Sequence, residues 1–233
     1  KEKVCSCIQD HKNFLVRKQL SFFEMTVGMA FDYFASEKVD IAIIEVGLGG
    51  RLDSTNIITP AVSVITNIGL DHTQFLGETL SEIAFEKAGI IKENVPVVIG
   101  ERQVDVAHVF ISKAEEKKAP ISFASEEDAF YATGLLGEYQ KKNSKTAVHA
   151  VRKVKGFQIS EEHINNGLLN VVQNTNLKGR WQVLQENPKV ICDTAHNKEG
   201  LSLVLRQLEK ESFQKVHMVL GVVEDKKLAQ ILP

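Results

Sequence analysis

The residues most suited to charge and phosphate chemistry fall into four groups along the chain. Glu45 begins the first, Glu45-Val46-Gly47-Leu48-Gly49-Gly50-Arg51. A carboxylate ending a run as apolar as IAIIEV is costly to bury without a cation, a hydrogen-bond network or a metal, so it asks for a partner. The glycines after it let the backbone approach a ligand closely or adopt positive φ. Their spacing is neither G-x-G-x-x-G nor G-x-x-x-x-G-K-[ST], and a tight turn explains it equally well. The second group, Asn67-Ile68-Gly69-Leu70-Asp71-His72, brings an acid and an imidazole out of another apolar run. Glu45 and His72 together suit an open Mg²⁺ site completed by phosphate oxygens and water. Imidazole is an uncommon ligand for that ion, and a satisfied histidine at a helix N-terminus is the alternative.

Lys87 is the third, late in the helical pattern Ala84-Phe85-Glu86-Lys87-Ala88. A solvated lysine near a helix C-terminus, favoured by the helix dipole, is the ordinary expectation there. The fourth joins Gly179-Arg180 to Asp193-Thr194-Ala195-His196-Asn197. Asp193 is suited to accept ribose hydroxyls while Arg180 and His196 contact phosphates. The alternative is a simple N-cap, with Asn197 or Asp193 closing the first turn of a helix.

Short β-branched runs precede these groups. Val39 to Val46, Ala61 to Ile68, Val95 to Ile99, Val190 to Cys192 and Val216 to Gly221 all read as strands buried on both faces. Helical patterns separate them, over Glu78 to Ile91, Asp105 to Lys118, Gln140 to Lys155, Glu161 to Gln173 and Lys198 to Glu211. The last two open after Ser160 and Asn197, and Ser21-Phe22-Phe23-Glu24 has the spacing of a capping box that starts a helix ending before Lys38. The alternation predicts an α/β fold, a mostly parallel sheet covered by helices. The polar stretch Asn174 to Gly179 marks the best boundary, giving one domain over 1–178 and the start of another over 179–233.

Composition narrows the function classes. The 233 residues are 43% apolar, enough for a sizeable core. With 28 basic and 30 acidic side chains and no basic block, nothing nominates a nucleic-acid partner. No segment reaches the roughly 18 apolar residues of a membrane span, and no apolar run follows Lys1, so the expected location is a reducing cytoplasm. Three cysteines fit free thiols, since Cys5-x-Cys7 has no second pair at zinc-site spacing.

Taken together, GLGGRLDSTN, IGLDH, EKAGIIK, LLGEYQKKN, GR and DTAHN resemble, in order, the folylpolyglutamate synthase and dihydrofolate synthase family of the Mur ligase superfamily, from Phe23 to Asp225-Lys226. The resemblance implies a Mur-ligase-like central ATPase domain followed by a smaller Rossmann-like α/β domain, both incomplete in this chain. It makes Glu45 and His72 magnesium ligands near the ATP γ-phosphate, and Lys87 a carbamylated lysine that organises the metal site. Asn143 lies near adenine, Asp193 takes the ribose side, and Arg180 and His196 contact phosphates, with Lys87, Arg180 and His196 in catalytic roles. Gly47 to Asn56 borders the active site without a firmer role. The implied reaction is an ATP-dependent amide ligation in folate biosynthesis and one-carbon metabolism. ATP phosphorylates a pterin carboxylate, and the amino group of L-glutamate attacks the acyl phosphate. Partners are then small molecules, dihydropteroate or a reduced folate, L-glutamate and ATP, acted on by a monomer. A peptidoglycan precursor ligase and a catalytically silent nucleotide-binding relative are the competing readings. The family's phosphate-binding loop lies upstream of these motifs and its chains continue past Asp225-Lys226, so both are expected outside the 233 residues. The path from Ala124 to Gly134 is also shorter than the family's, which raises the expectation of a gap there.

Overall fold

The computed structural model describes residues 2–221 of the chain. Its centre is a three-stranded parallel sheet of β1 (Ser63–Ile65), β2 (Val97–Ile99) and β3 (Ile121–Phe123), in that order. Ser63 pairs with Val97 and Val97 with Ile121, in register through Ile65, Ile99 and Phe123. Parallel neighbours need long crossovers. Here α4 (Thr73–Leu76) and α5 (Leu80–Ala88) link β1 to β2, and α6 (Ala107–Glu116) links β2 to β3.

These elements share one core. Ile65, Val97, Ile99 and Phe123 of the sheet pack with Ile83, Ala84 and Ala88 of α5 and with Phe110 and Ala114 of α6. Side chains alternate across a strand, so Val98 faces the opposite layer, where α7 (Gln140–Val151) rests on β1 and β2. Gly100, at the exit of β2, allows that approach: a Cβ there would lie 2.4 Å from the Thr66 carbonyl oxygen and 2.8 Å from Thr146 Oγ1.

Local signals set the helix starts. Ser21 and Glu24 form the expected capping box at α3 (Phe22–Glu37), Thr79 and Glu82 form another at α5, and Ser160 and His163 a third at α8 (Glu161–Leu169). The pattern Glu161 to Gln173 breaks into two. Asn170 turns its side-chain amide onto the Asn166 carbonyl, and α9 (Val171–Thr175) starts afresh. Competition of this kind from asparagine ends helices. Two more helices precede α3, namely α1 (Glu2–Asp10) and α2 (Lys12–Lys18), neither with a buried residue.

Beyond α9 the chain forms an antiparallel pair, β4 (Gln182–Glu186) with β5 (Lys189–Cys192), then α10 (Lys198–Leu208). The α/β architecture holds, with three corrections. Val39 to Val46 is not a strand among the described residues and is not buried: Ile41 is 56% and Ile43 92% exposed. Val216 to Gly221 is likewise unpaired, with Val219 99% exposed. Strand propensity needs a neighbouring ladder to become a strand, and neither run has one. Val190 to Cys192 does pair, but antiparallel. The Asp225-Lys226 region lies outside the described residues.

Phe110 is 1% exposed at the middle of the core. Phe110→Ala is expected to destabilise the protein by about 3–5 kcal/mol, read as a lower urea midpoint at unchanged slope.

Candidate functional site

The glycine run is a loop braced on the end of α5. Arg51 donates its N–H to the Glu86 carbonyl at 2.8 Å, and its guanidinium grips the Glu86 carboxylate at 2.9 and 3.2 Å. Asn56 donates to the carbonyls of Arg51 and Gly89, both at 3.1 Å. Gly50 has φ +159 and little room: a Cβ would lie 2.9 Å from Ile90 Cγ2 and 3.0 and 3.1 Å from the carbonyl oxygens of Glu86 and Lys87. Gly49, at φ +68, abuts Leu76 at the end of α4. Asp53 closes the loop, accepting from the Leu48 and Thr55 N–H groups at 2.9 Å and from the Thr55 hydroxyl. Burial alone would raise the Asp53 pKa, but these hydrogen bonds outweigh it and hold the carboxyl below the ordinary aspartate range. Glu45, just ahead of this loop, is exposed. The cost of burying it, which motivated a partner, therefore does not arise.

The second group stands on the exit of β1. Gln103 holds it by a double hydrogen bond to Ile68, its oxygen accepting from the N–H at 2.7 Å and its amide donating to the carbonyl at 2.8 Å. His72 occupies the N-cap position of α4 with φ 52, and its N–H donates to Asp71 Oδ1 at 2.9 Å. Lys87 is half-buried. Burial lowers its pKa, and the Asp71 carboxylate offsets that only in part. Asp71 Oδ2 also accepts from the Asn197 side chain at 3.2 Å, while Asn197 Oδ1 caps α10 through the Gly200 N–H at 2.9 Å. Loop and helix lie 126 residues apart in the chain.

The fourth group centres on Asp193. Its Oδ2 accepts from the Trp181 N–H at 2.7 Å and the Tyr139 hydroxyl at 2.9 Å, and its Oδ1 from the Ala195 N–H at 2.9 Å. Arg180, on the neighbouring residue, donates to the Thr194 hydroxyl and the Gly179 carbonyl. His196 Nδ1 lies 3.1 Å from the Thr194 carbonyl; a carbonyl can only accept, so that nitrogen carries the hydrogen. Asn143 is exposed on α7, its amide on Gln140 and its N–H directed at the Tyr139 carbonyl at 3.4 Å.

The fold thus brings together Asp71, His72 and Lys87 with the start of α10, and Asp193 and Arg180 with the start of α7. Among the described residues no three His, Cys, Asp or Glu side chains converge as a metal cluster.

The Mur ligase middle domain matches residues 13–177, and the Mur ligase glutamate ligase domain matches residues 179–232. The chain belongs to the Mur ligase family. The dihydrofolate synthase/folylpolyglutamate synthase of Bacillus subtilis is 36% identical over 233 residues, an alignment covering 88% of this chain and 53% of that protein. The Escherichia coli protein of the same name is 35% identical over 231 residues, covering 91% of this chain and 53% of its own length. The chain spans about half the length of the curated relatives it matches. Among solved structures, the apo form of L. casei FPGS superposes with a TM-score of 0.81 at 27% identity, over 91% of this chain and 58% of that one. E. coli FolC in complex with DHPP and ADP gives 0.74 at 31% identity, over 84% and 49%. The family resemblance read from the ordered motifs is borne out.

Sequence reasoning passed over Tyr139, although it sits in LLGEYQKKN, because its partner Asp193 lies 54 residues away. Arg51 and Glu86 were equally hidden as a pair across 35 residues. The Asp53 closure yields a pH-dependent prediction. Asp53→Ala should cost about 1 kcal/mol at neutral pH. A depressed carboxyl contributes stability above its unfolded pKa and loses it as pH falls through its folded pKa. The gap between wild type and variant in urea unfolding should therefore narrow with acidification; a gap that widens would contradict the assignment.

Proposed function

We propose that the full-length protein is an ATP-dependent ligase that joins L-glutamate to dihydropteroate or a reduced folate. One observation carries most of this reading: the Asp71–Asn197 hydrogen bond, which draws the loop bearing His72, beside Lys87, against the start of α10 that follows His196. A second domain brought to the first at such a point suits a site shared between them. The named ligands of the solved relatives, AMPPCP with folate in one and DHPP with ADP in another, fit the same chemistry. We divide the chain after residue 178, within its polar stretch and between the two family matches.

The reaction proceeds in two displacements. A carboxylate oxygen of the pterin substrate attacks the γ-phosphorus as the bond to ADP breaks. The glutamate amine then attacks the acyl carbon, phosphate departs and the nitrogen loses a proton. Arg180 and His196 hold phosphate oxygens, Asp193 the ribose and Asn143 the adenine. Approach of the C-terminal domain excludes water from the acyl phosphate.

Mg²⁺ takes oxygen ligands and retains water. The exposed Glu45 carboxylate supplies such an oxygen, and the glycine loop after it touches the end of α4, the helix that His72 begins. These residues fit a hydrated ion, and when bound it would neutralise charge on the transferring phosphoryl group. Lys87 fits the role of a carbamate, because CO₂ adds only to a neutral amine and burial favours that form. We place the enzyme in the cytoplasm as a monomer; the free cysteines Cys5, Cys7 and Cys192 accord with a reducing compartment.

In the full-length protein, Glu45→Ala and His72→Ala are each expected to lower Mg²⁺- and ATP-dependent glutamate addition about 10- to 100-fold; full activity in both would remove the metal assignment. With ¹³C-bicarbonate, the wild type should show a carbamate carbonyl resonance that Lys87→Arg lacks. Because its pKa is lowered, that signal should already be present at a pH where ordinary lysines are fully protonated. An identical spectrum in the variant would exclude a carbamate at Lys87.

A further inference from the structure

Tyr139 lies between two residues assigned above to the ribose and the adenine of one nucleotide. It stands at the N-cap of α7, one turn before Asn143, and its carbonyl receives the N–H groups of Lys142 at 3.2 Å and Asn143 at 3.4 Å. Its hydroxyl donates to Asp193 Oδ2. A tyrosine hydroxyl carries a single hydrogen, so this bond fixes where the phenol points. Asp193 is then held on three sides, by Tyr139 and by the N–H groups of Trp181 and Ala195. A carboxylate has about four acceptor sites, and among the described residues the one left is on Oδ1, which Ala195 engages once.

The chain clears a place for the phenol. Gly137 is buried, and a Cβ on it would fall 2.7 Å from Tyr139 Cε1, 2.8 Å from Cζ and 3.2 Å from the hydroxyl oxygen. No larger residue at 137 leaves the ring where it is. Behind the ring, the Glu138 N–H donates to Gln207 of α10 at 2.8 Å, and Gln207 donates back to the Leu136 carbonyl at 2.9 Å. The stretch Leu136 to Tyr139 is therefore tied to the C-terminal segment at Leu136, at Glu138 and through the phenol itself.

We propose that Tyr139 is a positioning residue of the nucleotide site, its hydroxyl fixing Asp193 and its carbonyl Asn143, so that one residue sets the spacing between ribose and adenine. This rests on the ribose and adenine roles proposed for those two side chains. Burial, then the bond to Asp193, push the Tyr139 pKa up to about 12, so the hydroxyl keeps its hydrogen throughout the working range.

The test uses the full-length protein with ATP and 2′,3′-dideoxy-ATP. Tyr139→Phe keeps the ring and removes the donor. It should raise the KM for ATP about ten- to a hundredfold, the usual effect of one hydrogen bond to a charged group. The kcat and the KM for glutamate should stay near wild type. The decisive readout is the preference for ATP over the dideoxy nucleotide, which should collapse toward unity. Gly137→Ala, which displaces the phenol without touching its chemistry, should move that preference the same way. Equal losses with both nucleotides would mark Tyr139 as merely structural and overturn the proposal. Asp193→Asn separates the two levels: loss of preference there, but not in Tyr139→Phe, overturns the positioning role alone. Preference retained in Asp193→Asn refutes the ribose assignment and the proposal with it.

Discussion

A parallel sheet sends every strand out at the same edge, and the rest of this molecule is arranged around that constraint. The exits of β1, β2 and β3 are knitted directly. Gly100 and Glu101 donate to the carbonyls of Ile65 and Thr66, Ser125 donates to Gly100, and Gln103 grips Ile68 through both of its amide atoms. Three loops that would otherwise move independently become one platform. The Asp71-His72 pair rests on it, and Lys142 of α7 reaches Glu101 at 2.6 Å. That ion pair is exposed and contributes little by itself. The placement of α7 comes from Gly100 and from Val148, 2% exposed, which seat the helix on the sheet.

From that platform polar contacts engage the C-terminal segment at both ends of α10, beside the buried Trp181 and Leu201. Asn197 engages Asp71 at the start, Gln207 engages Leu136 and Glu138 near the end, and Lys210 pairs with Glu138 at 2.6 Å. Hydrogen bonds of this kind contribute about 0.5–1.5 kcal/mol each and exposed ion pairs less. Their geometry is directional where their energy is modest. Such contacts define an orientation through their direction, which suits the proposed site shared between the two family-matched segments.

How much was legible in the sequence follows from how far each interaction reaches. The capping box at Ser21 and the helix start after Ser160 were readable because donor and acceptor lie within one turn. Ala61 to Ile68 and Val95 to Ile99 contain β1 and β2, whose apolar runs are buried as read, whereas β3 (Ile121-Ser122-Phe123) sits in no longer β-branched run that would mark it. Val39 to Val46 has the same composition as a buried strand and is exposed, because pairing is a property of the neighbour and not of the run. For the site, residue types marked Asp71, Lys87, Asp193 and Arg180, but not what holds them. Gln103, Tyr139 and Glu86 each act across more than 30 residues of chain, and nothing local announces them.

Glu45 shows why a wrong premise about burial still led to a defined position. Without a ladder, an extended segment should wander. Two residues on, however, Gly47 is wedged where a Cβ would lie 2.4 Å from the Phe23 ring of α3, and Leu48 is tied back to Asp53. Gly49 and Gly50 then meet Leu76 and the carbonyl end of α5. Consecutive Cα atoms are about 3.8 Å apart, so Glu45 lies within two residue lengths of a loop fixed on three helices. The glycines serve less as a flexible turn than as the absence of side chains where α3, α4 and α5 crowd the backbone. What they supply is a short tether, and an exposed carboxylate on a short tether can meet a cation without the desolvation cost that a buried one carries.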